Sequence, residues 1–170
     1  MKLNINELIK QKEKILEIRK LLELKEENGE KVKPKEKKYR IGKNLELIDT
    51  KETRIQDKTE EYCSHPILWI VNYNRSNREY YEENKEHTDY WYKCMHCGKV
   101  FTNKIKPETD NILTAPSDLN YVSYFREKIF QEFQEEYFNI LEELKDEETT
   151  IEIINKKLEE KFKKQKIKKL

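Results

Sequence analysis

Glycine is nearly missing from this chain: Gly29, Gly42 and Gly98 are the only three in 170 residues. A loop that cradles phosphate needs several residues without a Cβ close together, so that class of nucleotide site is excluded. No stretch reaches the roughly 18 consecutive apolar residues of a membrane-spanning helix. Met1-Lys2-Leu3-Asn4 opens no signal peptide, so a cytoplasmic location without membrane attachment is expected. An excess of one charge sign is lacking too. The 35 Lys+Arg meet 34 Asp+Glu for a net charge of +1, too little for a global pull toward nucleic acid. Apolar residues make up 35% against 41% charged, so one large compact core is excluded and much of the chain must be exposed helix face.

Catalytic patterns are also scarce. The chain has no His-Glu-x-x-His run, no His-x-Glu partnered with Pro-Cys-x-x-Cys, and no serine nucleophile motif. No small-molecule substrate and no enzyme activity is expected.

Only three cysteines occur, which excludes a disulfide-dense scaffold and fits a reducing cytosol. Their spacing is the most informative feature of the chain. Cys63-Ser64-His65 and Cys94-Met95-His96-Cys97-Gly98-Lys99 give four soft donors in two short-spaced pairs. Zn²⁺ prefers thiolate and imidazole, and a closed tetrahedron of four protein donors makes a structural site. Cys63, His65, Cys94 and Cys97 are therefore the candidate ligands of a structural Zn²⁺. His87 and His96 are rivals to His65, the first in a polar loop and the second inside the turn between its cysteine neighbours. Two cysteines three apart wrap a tight turn, and Gly98 can take the positive φ that turns their backbone N–H groups toward sulfur. Cys63 and His65, two apart, are expected on one side of an extended strand. A redox Cys-x-x-Cys would open a helix, whereas Gly98-Lys99-Val100-Phe101 favours a hairpin.

The segment Cys94-Met95-His96-Cys97-Gly98-Lys99 resembles the knuckle of zinc-ribbon and rubredoxin-like proteins, and the resemblance covers residues 60–106 only. It implies a small antiparallel β module around the metal. Tyr90-Trp91-Tyr92, Val100-Phe101-Thr102 and Ile67-Leu68-Trp69-Ile70-Val71 read as its strands. A ribbon more often has two Cys-x-x-Cys knuckles, so the Cys-x-His half departs from the family pattern.

Helices are expected on both sides. Asn4 with Glu7 makes an N-cap, and Asn28-Gly29 a stop, for an amphipathic helix over residues 1–28. Leu8, Ile15 and Leu22 recur every seven residues, with Ile18 and Leu21 beside them, a seam that docks on this protein's own helices or a partner. Residues 29–59 lack periodicity and read as a basic linker; residues 31–43 carry seven basic side chains against Glu36, a local +6. Beyond the module, residues 107–170 read as a helical hairpin with a lysine-rich tail. Ser117 or Asp118 caps its first helix. Val122, Phe125, Ile129, Phe133, Tyr137, Ile140, Leu141 and Leu144, widened by Phe130 and Phe138, form that helix's apolar stripe. Thr149-Thr150-Ile151-Glu152 opens the second helix, with Ile151, Ile154, Leu158 and Phe162 on its inner face. Net charge is −7 over residues 127–148 and +6 over 156–170, so the two helices can attract each other across a hairpin.

The fold class expected is α+β: a zinc-ribbon-like module flanked by an N-terminal helix and a C-terminal helical pair. The function expected is a non-enzymatic, zinc-stabilised interaction module. It would be an adaptor, regulator or inhibitor, including one of phage type, docking on a larger protein or nucleoprotein assembly. Tyr80 and Tyr81 are the candidate contact residues, tyrosine being large, stiff and amphipathic. The alternative is a nucleic-acid-binding ribbon protein using Lys35, Lys37, Lys38, Arg40, Lys163, Lys164, Lys166, Lys168 and Lys169. Residues 60–106 hold seven basic and seven acidic side chains, so the module itself offers no basic surface. A zinc hydrolase or thiol redox protein ranks third.

Overall fold

The computed structural model describes residues 2–34, 50–72, 90–102, 105–114 and 127–168. The described elements are α1 (Ile5–Glu27), α2 (Lys51–Glu60), β1 (Leu68–Asn72), β2 (Tyr90–Cys94), β3 (Val100–Thr102), β4 (Ile112–Leu113), α3 (Glu127–Glu143) and α4 (Ile151–Lys168). The fold is α+β, with an N-terminal helix and a C-terminal helical pair. Two compact units divide the chain, one made of Met1–Ile9 and His65–Leu170, the other of Lys10–Ser64. Among the described residues no helix is long and apolar enough to cross a membrane.

In the larger unit the sheet order is β3-β2-β1-β4. The apolar run after Pro66 becomes β1, which pairs antiparallel with β2 (Leu68 opposite Cys94, Trp69 opposite Lys93). The aromatic segments flanking the knuckle form the β2–β3 hairpin, with Tyr92 opposite Phe101. The sheet is not wholly antiparallel, as the resemblance implied. β4 joins β1 in parallel, Leu68 opposite Ile112, an edge pairing only two residues long that no alternation in the sequence announces.

The helical pair covers one face of this sheet. The stripe on α3 buries Phe130, Phe133, Tyr137, Ile140 and Leu141, and α4 answers with Ile154 and Leu158. Trp69 projects from β1 and stacks on Phe133, ring centroids 4.3 Å apart, and on Phe130 at 6.2 Å. Ile67, Met95 and Leu113 from the sheet side, and Ile5, Leu8 and Ile9 from the start of α1, belong to the same core. Early positions on α3 meet late ones on α4 (Phe133 with Phe162), so the pair runs antiparallel. The opposite charges bridge the two helices: Lys161 reaches Glu143 at 2.9 Å and Glu136 at 3.2 Å, and Lys157 reaches Glu143 at 3.5 Å. Lys161 holds the Glu143 carboxyl below the usual carboxylate range. Val122, Phe125, Ser117 and Asp118 lie outside the described residues.

Within the smaller unit α1 continues to the expected stop, where Gly29 takes φ +83 and donates to the Glu26 carbonyl. At its start, Asn4 Oδ1 accepts from the Glu7 N–H at 3.2 Å, the expected N-cap. Of the heptad seam Leu8, Ile15 and Leu22 are all buried, while Leu21 is exposed. Leu22 and Ile18 pack with Val32 and Ile55. Ile55 belongs to α2, so the stretch 29–59 is not linker throughout. Thr50 caps α2 by accepting from the Thr53 N–H at 3.1 Å, and no glycine or proline interrupts the ten residues after it. The linker expectation missed α2 because Ile55 is its only apolar residue, which gives no periodicity to detect.

A forked ion pair adds to the packing of α2 on α1. Arg54 donates through Nε and Nη2 to the two oxygens of Glu26 at 3.0 and 2.9 Å. The Val32 N–H adds a third hydrogen bond at 2.8 Å. These donors, Arg54 first, hold the Glu26 carboxyl down at about 2.

Candidate metal centre

The knuckle is the turn Met95–Cys97 between β2 and β3. Its backbone closes on itself: the Cys94 N–H donates to the Lys99 carbonyl at 2.8 Å and the Gly98 N–H to the Cys94 carbonyl at 2.9 Å. Gly98 adopts φ +77, the left-handed conformation expected of it. The His96 N–H faces the Cys94 sulfur at 3.4 Å, the backbone-to-sulfur contact that favours a thiolate.

The other half of the cluster comes from the short segment between α2 and β1. It is not the extended strand expected for Cys63 and His65. The sheet starts only at Leu68, and His65 takes φ +54. Left-handed backbone is uncommon for a residue with a Cβ and costs on the order of 1–3 kcal/mol, so the surroundings must hold it there. The Cys97 sulfur lies 3.3 Å from His65 Nδ1. The Phe101 ring meets the imidazole edge-on at a centroid distance of 4.9 Å.

One donor atom from each of Cys63, His65, Cys94 and Cys97 lies within 4.8 Å of the other three. Donors at about 2.0–2.3 Å from a tetrahedral Zn²⁺ stand roughly 3.3–3.8 Å apart, so the set needs little contraction to close on an ion. The donor chemistry fits as well. Three sulfurs and one imidazole nitrogen suit a borderline-soft cation, and none of the three cysteines is tied up in a disulfide. Cys94 is fully buried and Cys97 nearly so, while Cys63 and His65 are half-buried. Four protein donors would fill a tetrahedron and leave no open position for substrate.

His96 is not in the cluster. Its ring is buried and turned away, with Nε2 sharing a hydrogen bond with the Tyr137 hydroxyl at 3.1 Å and Phe138 edge-on at 5.7 Å. A side chain inside so tight a turn is carried to the opposite side from its cysteine neighbours. His87, Tyr80, Tyr81, Lys35, Lys37, Lys38, Arg40 and Lys169 lie outside the described residues. Lys163, Lys164, Lys166 and Lys168 fall within the span of α4, but their side chains are not among those described.

The support of the knuckle by α3 was not visible in the sequence. Gln134 Nε2 donates to the Met95 carbonyl at 2.8 Å and reaches the His96 carbonyl at 3.4 Å. Tyr137 gave one signal, a phenol on an apolar stripe that must find a polar partner. Gln134 gave none.

No protein-family profile, curated protein or solved structure matches this chain.

Proposed function

We propose that the chain is a non-enzymatic interaction protein whose Cys63, His65, Cys94 and Cys97 hold one structural Zn²⁺. The observation that carries the proposal is the closed donor set: three thiols and an imidazole within 4.8 Å of one another, with two of the sulfurs buried. Three thiolates would quench the Lewis acidity that a zinc hydrolase needs, and a fourth protein ligand takes the water's place. When bound, the ion would fix the β2–β3 turn to the segment before β1.

The role proposed for this scaffold is that of an adaptor, regulator or inhibitor acting on a larger protein or nucleoprotein assembly. Direct nucleic-acid binding has weaker support. Among the described lysines of α4, Lys157 and Lys161 are engaged by acids of α3, which removes them from any free basic surface.

X-ray absorption on the zinc-loaded protein tests the metal assignment. Three sulfur scatterers near 2.3 Å and one nitrogen near 2.0–2.1 Å, without a bound water, are the expected result. An exchangeable water ligand would revive the hydrolase. Nuclease and high-salt treatment of the purified complex tests the role: a stoichiometric protein partner should remain. Copurifying nucleic acid that leaves with salt would favour the alternative.

A further inference from the structure

We propose that Gln134 and Tyr137 of α3 are positioning residues for the metal knuckle, acting on the cysteine sulfurs through the turn that carries them. The inference rests on the zinc assignment above and extends it to residues that touch no ligand atom. Two routes lead from α3 to the turn. In the first, Gln134 Nε2 binds the Met95 carbonyl at 2.8 Å and the His96 carbonyl at 3.4 Å, so one amide group clamps two consecutive peptides between the cysteines. In the second, the Tyr137 hydroxyl meets His96 Nε2 at 3.1 Å, and the backbone N–H of that same histidine faces the Cys94 sulfur at 3.4 Å.

The opposite side of the turn is tied down too, since the Met95 N–H donates to the Ile67 carbonyl at 3.0 Å. Tyr137 and Met95 are fully buried and His96 almost so, which removes competition from water at this contact. The phenol and the amide therefore hold the turn in one conformation and aim both sulfurs before a metal arrives. Supports of this kind around metal ligands typically contribute 10- to 100-fold to affinity. The geometry also gives His96 its role: it is not a ligand but the side chain through which α3 grips the knuckle.

Competition with a chromogenic chelator, on the full chain, measures Zn²⁺ and Co²⁺ affinity in Gln134→Met and Tyr137→Phe. Ile154→Val and Leu158→Ala serve as controls, because they loosen the same core from α4 with side chains that can make no hydrogen bond to the turn. The expected result is a loss of about 10- to 100-fold in metal affinity for the α3 variants, with faster zinc release. The d–d bands of the Co²⁺ form should also shift, while controls of equal thermal destabilisation keep both affinity and spectrum. Equal losses in the controls, or unchanged affinity and spectrum in Gln134→Met and Tyr137→Phe, would overturn the proposal. An unsubstituted chain that binds neither metal would overturn the zinc assignment itself, and is recognised before any variant is made.

Discussion

Replacing Gly98 by alanine tests how far one backbone torsion controls the metal centre. Gly98 sits at φ +77 directly after Cys97, and its N–H donates to the Cys94 carbonyl. A residue with a Cβ in the left-handed region costs about 1–2 kcal/mol. If the turn forms only with the metal, the whole cost falls on binding. At about 1.4 kcal/mol per tenfold, affinity drops roughly 5- to 25-fold. If the turn is already formed in the metal-free protein, the same cost appears as lost stability and affinity stays the same. The two measurements must therefore sum to about 1–2 kcal/mol, however they divide. Chelator competition gives the first and urea unfolding of the metal-free protein the second. Gly98→Asn should lose less than Gly98→Ala, because asparagine tolerates this conformation better. A Gly98→Ala protein unchanged in both affinity and stability would refute the reasoning.

Three further outcomes follow from the packing. Phe133→Ala removes a fully buried ring stacked on Trp69 and touching Phe162, and should cost about 3–5 kcal/mol by chemical denaturation. The Glu26 carboxyl, held at about 2 by Arg54 and the Val32 N–H, stabilises the smaller unit fully above its ordinary value of 4.5. That contribution fades as pH falls from 4.5 toward 2, and an acid titration of Glu26→Gln followed by circular dichroism should lack this component. Lys161→Met breaks the bridges to Glu136 and Glu143, which are partly exposed; the loss should stay under about 1 kcal/mol and shrink in high salt.

Where the sequence carried a period or a cap, the fold was legible. The α1 stop at Gly29, the stripe of α3, the β2–β3 hairpin and the charge pairing of α4 with α3 all rest on local signals. So does the donor set, because three cysteines and a histidine at those spacings have few other uses. What stayed hidden depends on tertiary contact. α2 has one apolar residue, β4 is two residues long, and His65 takes a left-handed backbone where a strand was expected. The apolar content of 35% also argued against one large compact core. Trp69, Met95 and Leu113 instead share one core with α3 and α4. Zinc would then fix the knuckle locally while the aromatic layer supports the rest.

The most direct test of the central claim is native mass spectrometry of the intact chain with parallel metal analysis, on the unsubstituted protein and on Cys97→Ser. One Zn²⁺ per chain, retained under native conditions, released on denaturation and lost in Cys97→Ser, is the predicted result. A metal-free chain, or zinc that survives the loss of Cys97 undiminished, would contradict it.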